Sequence, residues 1–330
     1  MQELTGITNI QRDQTVFLCG LAARRDLVMR SRHRPRDAGS RPDALPSRRQ
    51  PLNSAAIEDG AKRHAHITHE NPPMNRTLTV SGVTLELAER GAGRPLLFLH
   101  PGEGLQPGRP WLDTLARSFR VIAPDHPGFG GSSLPDWFAT VDDLAYLYLD
   151  MAAALDLQDA ILVGACFGGW IAAEIAVRNT ARFAGLVLAD PLGIKLRGVL
   201  DRDIVDMHAI PRETFLQLAW ANPALGVIDY ATLPDTELAG IARGRESLAL
   251  FGWKPYMHNP RLKRWLHRID IPTHLIWGEQ DGIVSTTYGE GWKAQIPGAT
   301  METIPQAGHY PHWEQPDRFA AAVTAFAAQI

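Results

Sequence analysis

Three side chains able to carry out acyl chemistry stand at the C-terminal ends of apolar runs: Cys166, Asp281 and His309. Cys166 lies in Leu162-Val163-Gly164-Ala165-Cys166-Phe167-Gly168-Gly169-Trp170, with a glycine two residues before it and another two after. Ala160 to Val163 has the composition of a short buried strand, and Trp170 to Ala176 that of a helix. The spacing puts Cys166 on a sharp strand-to-helix turn, where Gly164 and Gly168 let the two elements come close. That is the geometry of a nucleophile elbow with cysteine as its reactive residue. The helix N-terminus aimed at the sulfur favours thiolate over thiol. A buried free cysteine is commonly just a small hydrophobe, so its position on the elbow is what marks it out.

The elements around these residues follow from apolar periodicity. Alternation of Leu78 and Val80, then Val83, Leu85 and Leu87, around Ser81-Gly82 predicts a hairpin of two antiparallel strands. Pro95 to Leu99, Arg120 to Ala123, Gly185 to Ala189 and His274 to Trp277 are uniformly apolar or nearly so, each followed by a loop, as central parallel strands are. Thr300 to Ile304 reads as the last strand. Helical spacing runs from Val141 to Leu155, and Phe319 to Ile330 closes the chain as an Ala-rich helix. The strand pattern stops between Gly193 and about Ile269, where Glu213 to Ala221 and Thr236 to Phe251 read as helices between prolines. These features predict an α/β core of residues 74–192 and 270–330, with a helical cap over 193–269. The cap aromatics Phe215, Trp220, Tyr230, Phe251, Trp253, Tyr256 and Trp265 fit core packing, and as a group could line an apolar pocket.

At 330 residues and 45% hydrophobic, the chain has ample material for a large core. A net charge of -3 gives no nucleic-acid surface, and no stretch has the length of a membrane span. Two cysteines, Cys19 and Cys166, make no disulfide framework and suit a reducing cytoplasm. Residues 1–73 differ from the rest: they are net basic, and Arg30 to Pro51 is rich in Arg, Pro and Ser, which predicts a disordered extension ahead of a domain opening at Met74. The run His64-Ala65-His66-Ile67-Thr68-His69 has metal-binding residue types, though such runs in polar tails are commonly incidental.

Nucleophile, acid and base occur in the order Cys166, Asp281, His309. With the His100 loop, the Asp125-His126-Pro127-Gly128-Phe129-Gly130-Gly131-Ser132 loop and the glycine-flanked elbow, residues 77–330 resemble the α/β-hydrolase-fold superfamily. The resemblance implies a mostly parallel eight-stranded sheet flanked by helices, with an inserted helical cap. It implies that His309 is the base and Asp281 its partner, with Asp190, also at a strand end, as the alternative acid. The implied oxyanion hole joins the backbone N–H of Phe167 to that of Gly102, since Pro101 has none to give. Losing one such donor costs about 2.7 to 4 kcal/mol in a transition state. Asp125 reads as a brace for its loop. Glu103, His100 and Trp170 are candidates for contact with substrate or thiol. The Gly-x-Cys-x-Gly-Gly elbow is similar to that of dienelactone hydrolases, which carry a glutamate in the loop comparable to that of Glu103.

The expected function is hydrolysis of an ester, lactone or thioester of a small apolar or aromatic molecule through an acyl-Cys166 intermediate, with no cofactor or metal. Acyl transfer with the same residues, which polyhydroxyalkanoate synthases exemplify, and non-catalytic ligand binding on a hydrolase scaffold are the alternatives. The fold hosts all three.

Overall fold

The computed structural model describes residues 74–105, 110–198 and 200–330. The expectations for residues 1–73, including Cys19 and the histidine run from His64 to His69, lie outside the described residues.

Strands β1 (Met74–Val80) and β2 (Val83–Arg90) form the expected hairpin, with Val80 opposite Val83. Its two turn residues, Ser81 and Gly82, both have positive φ (50° and 78°), as a two-residue hairpin loop requires. Six more strands follow: β3 (Pro95–Leu99), β4 (Arg120–Pro124), β5 (Ala160–Ala165), β6 (Phe183–Ala189), β7 (Thr273–Gly278) and β8 (Thr300–Ile304). They assemble in the order β1-β2-β4-β3-β5-β6-β7-β8. β2 is antiparallel to both its neighbours, and from β4 to β8 every pairing is parallel. The architecture is the α/β hydrolase fold, with an eight-stranded, mostly parallel sheet.

Uniform apolarity in the central strands reflects burial on both faces; β5 is buried at every residue. On one face α1 (Pro110–Ala116) and α8 (Pro316–Ala327) place Trp111, Leu115, Phe319 and Val323 against Phe98, Val163 and Ile276. On the other lie α2 (Val141–Ala154) and α3 (Phe167–Ala176). Helix α2 begins at a capping box in which Thr140 and Asp143 satisfy each other's backbone N–H groups. It buries Leu144, Leu147, Tyr148 and Met151, each large apolar side chain contributing about 1.5–3 kcal/mol. Because β3 to β8 run parallel, their C-terminal ends deliver His100, Asp125, Cys166, Asp190, Asp281 and His309 to one edge of the sheet.

The β6–β7 connection contains α4 (Arg212–Ala219), α5 (Asp235–Gly252) and four short 3-10 turns. The helix expected to reach Ala221 stops at Ala219, because Trp220 turns extended (φ −128°, ψ 133°) and the Ala219 carbonyl accepts the His309 N–H at 2.8 Å. A tertiary contact thus sets the helix end. The last helix starts at Pro316 rather than Phe319, with proline in its first turn where the missing N–H costs nothing. Helix α5 lies over the loops that follow β3 and β4: Ser247 Oγ donates to the Gly128 carbonyl at 3.2 Å, and Gly244 packs on Phe129. After β7 comes α6 (Thr286–Lys293), and after β8 the single-turn α7 (Pro311–Glu314). Both are too short and too polar to stand out in the sequence. Among the described residues no helix is long and apolar enough to cross a membrane.

Candidate active site

Cys166 sits between β5 and α3 with φ 53° and ψ −113°, a backbone strain of about 1–3 kcal/mol for a residue with a Cβ. The surroundings hold it there. Its N–H donates to the Ala189 carbonyl (2.8 Å), and its own carbonyl accepts from Gly169 (3.1 Å), Trp170 (3.2 Å) and Leu192 (3.1 Å). A Cβ on Gly164 would collide with the Gly168 carbonyl, and one on Gly168 with that of Leu99, so both positions need glycine for close approach. The free thiol is buried, 3% exposed. Phe167 opens α3, where a backbone N–H has no acceptor within the helix.

His309 and Asp281 meet beside the thiol. Asp281 Oδ2 lies 2.8 Å from His309 Nδ1, and both side chains are shielded from solvent. Asp281 Oδ1 accepts the N–H groups of Ile283 (2.8 Å) and Val284 (3.0 Å), which orients the carboxylate. The other ring nitrogen, Nε2, is buried without a regular hydrogen bond. Burial opposes a charge on this ring, but the Asp281 carboxylate and the Cys166 sulfur outweigh it and hold His309 well above its ordinary range. Asp190, the alternative acid, is also buried, yet its Oδ1 accepts the Gly278 N–H at 2.9 Å, and the hydrogen bond to His309 belongs to Asp281.

The loop after β3 is braced by a pair of histidines. His100 Nε2 accepts the His126 N–H (2.9 Å), so the ring proton is on Nδ1, which donates to the Pro101 carbonyl (2.6 Å). His126 Nε2 donates in turn to the His100 carbonyl (2.9 Å), leaving Nδ1 to accept from the Tyr148 hydroxyl at 2.5 Å. The rings lie with centroids 3.6 Å apart and planes tilted by 34°. Burial pushes His126 down to about 3, against a smaller opposing effect of its bond to His100, so it stays neutral. Gly102 lies under the β6–β7 connection: a Cβ there would come within 2.6 Å of the Leu248 side chain on α5. Glu103 is half-buried and faces the hydroxyl of Tyr310. Burial first, then the electrostatic influence of Glu103 and Cys166, holds that phenol well above its ordinary range.

One family description, Alpha/beta hydrolase family, matches residues 96–322, the stretch that carries Cys166, Asp281 and His309. The chain belongs to the alpha/beta hydrolase family. It is 28% identical over 294 residues to 2-hydroxymuconate semialdehyde hydrolase of Pseudomonas sp. (strain CF600), covering 78% of this chain and 95% of that one. Among solved structures it superimposes on the meta-cleavage product hydrolase CumD with TM-score 0.63, 21% identity and coverage of 77% of this chain and 98% of the other. The carboxylesterase CesB of Bacillus subtilis gives TM-score 0.60 and 20% identity, over 79% and 93%. These two likenesses show the fold.

In this hydrolase the candidates read from sequence separate into two groups. Cys166, His309 and Asp281 converge, Phe167 follows Cys166 on the elbow, and Glu103 faces the neighbouring Tyr310. The polar atoms of His100 and Trp170 are engaged within the protein: both His100 nitrogens pair with backbone, and Trp170 donates its indole N–H to Glu174 (3.2 Å) and packs on Gly193. Asp125 lies beside Gly130, where its carboxylate fills the space a Cβ would need. Sequence reasoning missed His126 with Tyr148, and Tyr310, although the latter immediately follows His309. Among the described residues, Asp190, Asp281 and His309 are the group with metal-ligating atoms close together, within 4.8 Å. The Asp281 oxygens and His309 Nδ1 are already engaged in hydrogen bonds, so the set fits an acid–base relay better than an ion.

Proposed function

We propose that this alpha/beta hydrolase cleaves an ester, lactone or thioester of a small apolar or aromatic molecule through a thioester on Cys166. The observation that carries the reading is the elbow backbone of Cys166, φ 53°, held beside a buried His309–Asp281 pair. His309 holds the proton it takes from the Cys166 thiol, sulfur attacks the carbonyl carbon, and Asp281 stabilises the imidazolium. The oxyanion is met by the N–H groups of Phe167 and Gly102. Collapse expels the leaving group, which receives the proton from His309. Water then attacks the thioester, giving up a proton to His309, and the acid and free thiol are released. Residues 193–269 act as the cap, whose Leu248 and Phe251 give the acyl group an apolar wall. The 28% identity to 2-hydroxymuconate semialdehyde hydrolase supports a small molecule as the substrate.

The test is pre-steady-state release of chromophore from a short-chain aryl ester, with intact-protein mass analysis and Cys166→Ala as control. A burst with an acyl adduct that is absent from the variant is expected. A variant retaining most of the activity would move the nucleophile elsewhere. Acyl transfer uses the same residues and is distinguished by an added thiol or alcohol that raises turnover without raising acid release.

A further inference from the structure

Asp190 directly follows β6 with φ 43°, a second non-glycine residue beside the site held at positive φ. Its side chain is completely buried. Oδ1 accepts the Gly278 N–H at 2.9 Å, while Oδ2 is buried with no nitrogen or hydroxyl donor. Ligating atoms of Asp190, Asp281 and His309 lie within 4.8 Å of one another. Asp281 by contrast accepts three hydrogen bonds, from Ile283 N, Val284 N and His309 Nδ1. Two carboxyl groups this close in a dry site do not both ionise. The charge belongs on the one with three donors, and the proton on the one with a single donor and an oxygen directed into the cluster.

We propose that Asp190 is a neutral carboxylic acid whose Oδ2–H donates to Asp281, which makes it a positioning residue that keeps the carboxyl pair at a single negative charge. Burial, and then the charge of Asp281, hold the Asp190 carboxyl well above its ordinary range, against the opposing pull of His309. The titratable groups facing it are Asp281 from the loop after β7 and His309 from the loop after β8, with Cys166 on the elbow acting on His309. The donated proton disperses charge on Asp281 and keeps His309 less basic than a lone buried carboxylate would. Asp190 retains its proton throughout, so His309 exchanges protons only with sulfur, leaving group and water. The protonation itself is independent of the chemistry proposed at Cys166; its catalytic consequence rests on that reading.

The experiment is carbon NMR of the full chain labelled at the aspartate carboxyl carbons. In the wild type one carboxyl should keep the resonance position of a protonated acid through neutral pH, and that resonance should vanish in Asp190→Asn. If every aspartate is ionised at neutral pH, or the resonance survives in Asp190→Asn, the proposal is overturned. The His309 ring titration supplies the sign. Asparagine can donate N–H where the acid donates O–H, so Asp190→Asn should leave the titration in place and Asp190→Ala should move it upward. An ionised Asp190 would instead lower it in both variants, by about a unit or more. A wild type with no protonated carboxyl overturns the proposal even if a variant fails to fold, either Asp190→Asn or Asp190→Ala can assign the resonance, and none of these readouts requires turnover of an ester.

Discussion

His100 and His126 exchange hydrogen bonds between ring and backbone: the His100 ring accepts the His126 N–H, and the His126 ring donates to the His100 carbonyl, both at 2.9 Å. The exchange ties the loop after β3, which carries Gly102, to the loop after β4. It works only with both rings neutral and each in one tautomer, and Tyr148 from α2 sets that of His126. Replacing His126 with phenylalanine should therefore loosen the loop bearing Gly102, the proposed oxyanion donor. The expected result on an aryl ester is a fall in kcat of about 10–100-fold with little change in KM, since one donor is worth about 10²–10³. Tyr148→Phe should cost about 1–3 kcal/mol in urea unfolding by stranding a buried ring nitrogen. An unchanged kcat in His126→Phe would mean that the loop holds its shape without the brace.

Asp281→Asn should lower kcat by about four orders of magnitude, because an amide can donate to Nδ1 and stabilise the wrong His309 tautomer. The same variant tests a stability effect. His309 is held above its ordinary range, so the stability it contributes is full below the unfolded value of about 6.5 and is lost as pH rises from there through the folded-state value. Urea midpoints should show this alkaline decline in the wild type and a flatter profile in Asp281→Asn. Parallel profiles would remove the linkage.

His312 should make the protein acid-sensitive. Both its nitrogens are buried without a hydrogen bond, among Phe98, Trp111, Tyr310 and Phe319. Burial, with His309 adding to it, pushes its pKa down to about 3. Between about pH 6.5 and 3 the unfolded chain takes up a proton that the folded ring refuses, so stability falls with pH at about 1.4 kcal/mol per unit. His126 adds a similar slope. His312→Phe should remove one of the two slopes, visible as a shallower acid limb in denaturant midpoints; an unaltered limb would locate the acid sensitivity elsewhere.

Gly102→Ala and Gly168→Ala should behave differently. At Gly102 the new methyl meets the end of the Leu248 side chain, which can rotate away, so the fold should survive with reduced turnover, and Leu248→Ala should restore much of it. At Gly168 the methyl meets the Leu99 backbone, which cannot yield, and the expected outcome is loss of soluble protein. Thermal unfolding and expression yield separate the two. A stable Gly168→Ala protein would show that the elbow can open.

The order Cys166, Asp281, His309, the parallel strands and the hairpin were legible in the sequence because each depends on local pattern. A strand buried on both faces must be uniformly apolar, a tight hairpin needs residues that accept positive φ, and an elbow needs glycines where backbones touch. Local chemistry likewise marked the helices of α4 and α5, and only their ends moved. What the tertiary structure decided was pairing between loops distant in sequence. Asp281 rather than Asp190 receives His309 because β7 and β8 place their loops together, while Asp190 is turned toward Gly278. The brace at His100 was not legible, since a histidine after a strand carries no sign of its partner 26 residues on. Tyr310 and Glu103 lie more than 200 residues apart and meet only because the loops after β3 and β8 gather at one sheet edge. Sequence sets which groups are available at the strand ends; the packing of those ends sets which groups share a proton.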